Sequence, residues 1–159
     1  MLEDKSAVFV VGVDFGPRAD DALITAFHLA EYCPGARIHA VLVIDPRDVV
    51  PGEGESRDAA LERVMTDAPL LLRRRAQLAC AAYMPEGMSL ELSASAVIGK
   101  PAAGLTQAAI ERDADLLIVG TQDRGAFARM LRPSVAARLA REAPCPVLIA
   151  RPKRADAKS

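Results

Sequence analysis

Two stretches of this chain carry side chains suited to chemistry on an anion. The first is Asp14-Phe15-Gly16, a carboxylate and a glycine turn directly after an apolar run. The second is the thirteen-residue stretch 121–133, which sets Arg124, Arg129 and Arg132 against one acid, Asp123. It leads to Ser134, read as the N-cap of a helix over 135–143, where free N–H groups and the helix dipole favour negative charge. One reading of this loop is phosphate binding. The other is a solvated basic loop before an ordinary cap, and these features alone do not choose between them. Asp14 and Asp123 form a candidate carboxylate pair for hydrolysis, but no histidine base is evident beside them. There is no G-x-S-x-G elbow, no Walker lysine motif and no G-x-G-x-x-G after the first apolar run.

These loops need rigid elements to hold them. Residues 7–13 and 38–44 are nearly continuous apolar runs rich in β-branched side chains, the mark of strands covered on both faces. Residues 89–98, 115–120 and 146–150 give three further strands. Helical spacing between them places Ala22, Leu23, Ala26, Phe27 and Ala30 on one stripe, and Leu105, Ala108 and Ala109 on another. Residues 59–82 also read as helix, with Pro69 expected to kink or divide it. Residues 45–58, with Pro46, Pro51, Gly52 and Gly54, read as an exposed, mobile loop. The alternation implies one open five-stranded parallel sheet with helices on both faces. In such sheets a ligand sits beyond the carboxyl ends of the strands where the strand order reverses, the place both loops suit. The expectation is a single domain over 1–159, with its core at about 6–151 and a basic tail at 152–159.

Composition excludes several classes. A net charge of −1 with both signs dispersed gives no electrostatic grip on nucleic acid or on an anionic membrane, and the absence of tryptophan removes the best base-stacking face. No apolar run approaches a membrane span and the N-terminus is no signal peptide, so a cytoplasmic location is expected. Cys33, Cys80 and Cys145 are odd in number and lack CxxC spacing, which reads as packed thiols in a reducing compartment. His28 and His39 lack partners at metal-ligand spacing and are read as structural, so no metal site is expected.

Several motifs together carry a family resemblance: Gly12-Val13-Asp14, Gly99-Lys100-Pro101-Ala102, Gly120-Thr121 through Arg124-Gly125, Ser134-Val135, and the closing block at 141–150. The chain resembles the universal stress protein family over roughly residues 6–151. The resemblance implies a Rossmann-like fold of the adenine-nucleotide α-hydrolase type. It also implies a stress-response or signalling role without catalysis (a weak ATPase being the enzymatic variant), and possible protein partners in that signalling. It further implies a homodimer paired along the fifth strand, Val147-Leu148-Ile149-Ala150. Asp14 and the backbone at Val43 would face ribose and adenine. Gly120, Asp123, Arg124, Gly125, Ser134 and Val135 would line the phosphate side, with ATP, ADP or AMP and Mg2+ as the implied ligands.

ATP-binding members carry glycine, two residues, glycine, nine residues, then glycine and Ser or Thr. Here Gly120 and Ser134 match, but Asp123 and Pro133 replace the second and third glycines. Pro133 has no N–H, and one donor lost to a charged group costs about 1.5–3 kcal/mol. A carboxylate about 4 Å from a phosphate charge at an effective dielectric near 20 costs roughly 4 kcal/mol. Together these are worth several powers of ten in affinity. The loop arginines, or a cation bridging Asp123 or Asp14 to phosphate, are the counterweights. The sequence therefore points to a signalling homodimer with impaired ATP binding. The alternative is a nucleotide switch working through the same two loops.

Overall fold

Residues 7–13 have no polar side chain to turn toward water. In the computed structural model this segment supplies the middle strand of the sheet, β1 (Val8–Gly12). The structure describes residues 5–16, 19–120 and 133–151, and only the backbone of Pro133 and Ser134. The other strands are β2 (Arg37–Ile44), β3 (Glu91–Ile98), β4 (Leu116–Gly120) and β5 (Val147–Ala150). All pairings are parallel, in the order β3-β2-β1-β4-β5. The chain adds β2 and β3 on one side of β1, then returns to add β4 and β5 on the other. The strand order therefore reverses between β1 and β4.

Period-two alternation sends the strand side chains into two cores. Phe9, Val11, Ile38, Ala40 and Leu42 pack with α1 (Asp20–Ala30) and α2 (Arg57–Tyr83). Val10, Val41 and Val43 pack with α3 (Pro101–Glu111) and α4 (Pro133–Glu142). Asp115 precedes β4 rather than opening it: its carboxylate accepts the Val8 N–H at 2.8 Å, and its own N–H donates to the Val8 carbonyl at 2.9 Å.

Two stretches show how tertiary packing bears on local signals. Pro69 does not divide its helix, because α2 runs unbroken for 27 residues. An interior proline costs about 3 kcal/mol. Ala60 and Ala68 before it, and Leu72, Ala76 and Ala79 after it, are all buried on the same side, so the two halves cannot separate without losing that face. Residues 45–58 are largely exposed, as expected, and carry local order. Pro46–Asp48 form a 3-10 turn capped by Asp45, and Val49 is buried in the first core. Glu55 accepts from the Gly52 N–H and from Arg63, and Ser56 caps α2 by accepting the Ala59 N–H at 3.2 Å.

Close approach of α3 to the sheet depends on two glycines. A Cβ at Gly12 would lie 3.0 Å from a Leu105 methyl. A Cβ at Gly104 would lie 2.8 Å from both methyls of Val43, which is β-branched and held in a strand. Gly104→Ala should therefore lower stability by about 1–2 kcal/mol despite alanine's better helix propensity. Urea unfolding would check this, and a stabilised variant would contradict it.

Candidate functional site

The carboxyl ends of three adjacent strands bring the candidate residues into one row. Gly12 of β1 pairs with Val41 of β2 and with Val119 of β4. The Val13 N–H donates to the Val41 carbonyl at 2.9 Å, so the β1–β2 ladder continues past the end of β1. Carrying the register on by two residues sets Asp14 level with Val43. One step on the other side sets Gly120 beside Val13. Asp14, Val43 and Gly120 thus share the rim of the crevice where the strand order reverses, the position at which open parallel sheets bind ligands.

Asp14 is only 9% exposed, and its Oδ1 accepts the Gly16 N–H at 2.8 Å. Burial pushes its carboxyl above the ordinary carboxylate range, opposed by that hydrogen bond and by the charge of Arg75. Arg75 comes from the middle of α2, where its Nε donates to Asp20 at the start of α1 at 2.7 Å. No motif in the sequence marks Arg75. Its signal was a basic residue at the margin of the buried stripe of Leu72, Ala76 and Ala79.

The phosphate side is described only in part. Asp123, Arg124 and Gly125 lie outside the described residues, as do Arg129 and Arg132. Val135 is half-buried and packs against the core that holds Val43 and Val119. Ser134 is not the N-cap of α4, because the helix already includes Pro133 as its first residue. That placement has a physical reason. Proline's fixed φ suits the first helical position, where the missing N–H would have no intrahelical partner. Pro133 still withholds one donor from an anion at the helix start, while Ser134 and Val135 keep their N–H groups in the first turn.

His39 lies at the opposite, amino-terminal end of the sheet. It is 3% exposed, and both ring nitrogens are engaged, Nδ1 with Ser93 Oγ at 2.6 Å and Nε2 with Ser95 Oγ at 2.8 Å. The register that pairs His39 with Ser93 and Val41 with Ser95 creates this bracket. His28 is exposed on α1. Among the described residues no group of His, Cys, Asp or Glu is placed to hold a metal ion. Among them, too, no helix is long and apolar enough to cross a membrane. All three cysteines are free and partly buried, and burial pushes the Cys80 and Cys145 thiols up, away from the reactive thiolate.

Comparison with known proteins gives one consistent result. A model of the universal stress protein family matches residues 7–151. A curated relative from Thermus aquaticus, named as the universal stress protein in the QAH/OAS sulfhydrylase 3′ region, is 32% identical over 117 residues. That match covers 74% of this chain and 79% of the relative. Among solved structures, UspA from Lactobacillus plantarum superposes with a TM-score of 0.68 at 21% identity, covering 92% of this chain and 99% of its own. A universal stress protein in complex with cAMP superposes with a TM-score of 0.61 at 24% identity, covering 92% and 97%.

The His39 bracket makes a pH prediction. Burial, with Arg112 nearby as the lesser cause, pushes its pKa down to about 4 from an ordinary 6.5. The folded value lies below the unfolded one, so the contribution to stability is complete above about pH 6.5 and fades as pH falls toward 4. The loss should be on the order of 3 kcal/mol and absent in His39→Asn. Denaturant titrations at several pH values would measure it, alongside an imidazole proton NMR titration. An inflection near 6.5 would show the ring to be open to water instead.

Proposed function

The chain belongs to the universal stress protein family, and from that membership we propose that it is a non-enzymatic cytoplasmic signalling protein. It works as a homodimer, and its pocket has lost tight hold of ATP while keeping its nucleoside end. The observation that carries this reading is the asymmetry of the pocket. Asp14 is fixed by the Gly16 N–H and Val43 packs in the second core, whereas the phosphate motif carries Asp123 and Pro133 in place of two glycines. A carboxylate and a missing donor penalise a ligand in proportion to its phosphate charge, so ATP suffers most.

A second reading has a specific observation in its favour. The related protein that superposes with a TM-score of 0.61 holds cAMP, which carries a single phosphate. An AMP-type ligand places little charge near position 123, so this chain can act as a switch for such a nucleotide without tight ATP binding. In both readings Asp14 addresses the ribose, and Gly120, Arg124, Gly125, Ser134 and Val135 line the phosphate. Catalysis is not part of either reading.

For the dimer, support comes from the sheet order and side-chain character. β5 is an outer strand, paired on one side by β4 and, among the described residues, by no strand on the other. Ile149 is exposed, and Val147 and Leu148 are half-buried. An apolar outer strand of this kind invites pairing with its own copy.

Calorimetry with ATP and Mg2+, and separately with AMP and cAMP, tests the nucleotide reading. ATP should bind more weakly than AMP, and Asp123→Gly with Pro133→Gly should raise ATP affinity by at least about a hundredfold. Tight ATP binding by the native chain, or no gain in the double variant, would remove the proposal. Light scattering addresses the dimer, which Ile149→Lys should weaken by placing a charge on the pairing edge. A native chain that stays monomeric at high micromolar concentration would refute pairing through β5.

A further inference from the structure

The outer face of α2 exposes three leucines that the fold leaves unused. Leu70 is 67% exposed, Leu71 56% and Leu78 64%. Helical spacing puts Asp67, Leu71, Arg74 and Leu78 on one stripe, with Leu70 beside it. Asp67 and Arg74 form no ion pair with any described residue. The inner face of the same helix is the buried row from Ala60 to Ala79.

We propose that this face binds a second copy of the chain, with the two α2 helices antiparallel about a twofold axis between Leu70 and Leu71. The symmetry of the charges selects this occupant. Asp67 and Arg74 stand three to four residues either side of the axis, so an antiparallel copy sets each Asp67 against the other copy's Arg74, and the ion pair forms twice. Leu70 of each copy meets Leu71 of the other at the axis. Leu78 lies along the aliphatic stem of the other copy's Arg63, whose guanidinium is already held by Glu55 at 2.9 Å. A parallel arrangement would oppose like charges, and an unrelated partner would have no need of self-complementary placement. The surface is isologous, as a closed dimer requires.

This interface is separate from the β5 edge. α2 covers β2 and β3, and β5 lies at the other end of the sheet. A chain with two isologous surfaces assembles beyond a dimer, into a closed tetramer or an extending array.

Sedimentation velocity on the Ile149→Lys chain isolates the α2 contact. At about 100 μM it should still dimerise. Asp67→Arg or Arg74→Asp alone should weaken that dimer at least about tenfold, since each reversal converts two attractions into two repulsions. The double reversal should restore it. In the chain with native β5, the same single reversals should remove the species larger than a dimer and the double should recover it, which keeps the test decisive if Ile149→Lys folds poorly. Circular dichroism confirms that each variant is folded. A monomeric Ile149→Lys chain with native α2, single reversals without effect, or a double reversal that fails to rescue would each overturn the proposal.

Discussion

Everything in this molecule is arranged around the burial of β1 on both faces and along both edges. Val10 and Val11 are fully removed from water, one in each core. Burying a valine side chain is worth about 1.5–3 kcal/mol, and here neighbouring residues draw helices onto opposite faces of one strand. β2 and β4 then satisfy its backbone from either side. Once β1 is central, β2 and β4 must leave it in opposite directions. The crevice at their carboxyl ends is a consequence of that packing.

The same constraint sets how closely ligand-facing groups can be held. α3 lies against β1 and β2 only because Gly12 and Gly104 present no Cβ to Leu105 and Val43. Val43 is thereby clamped from behind, and its neighbour Asp14 is fixed by the Gly16 N–H. Asp14 is kept out of water, yet Arg75 from α2 supplies a compensating field. The helix whose outer side carries the exposed leucines therefore also contributes charge to the rim of the pocket.

Much of this was legible in the residues. Five apolar runs separated by helical stripes gave the architecture, because a strand buried on both faces cannot hide its composition. Asp14 was legible because a polar residue ending such a run must face a loop or a site. Pro69 misled because proline's effect on an isolated helix says nothing of the buried alanine and leucine row spanning it. Ser134 misled because serine caps well, while Pro133 one residue earlier suits the first helical turn better. The segment at 45–58 read as an exposed loop by composition, but composition does not show that Val49 reaches the first core or that Glu55 pairs with Arg63 of α2. The bracketing of His39 depends on the β2–β3 register, which composition does not encode.

On the proposed nucleotide reading, the two ends of the pocket respond differently to mutation. The nucleoside end is made of strand termini and backbone, so changing it means disturbing β1, α3 and the core they share. On the proposed phosphate side, α4 starts with proline, and substitutions at its first turn alter donors without touching a strand. Sequence change therefore accumulates most cheaply at the phosphate end. A chain in this fold can lose its preference for a triphosphate while the adenine and ribose rim stays intact. In sequence, Asp123 and Pro133 are the departures from the glycine motif, while Gly12, Asp14 and Val43 lie where the sheet and α3 leave least room for change.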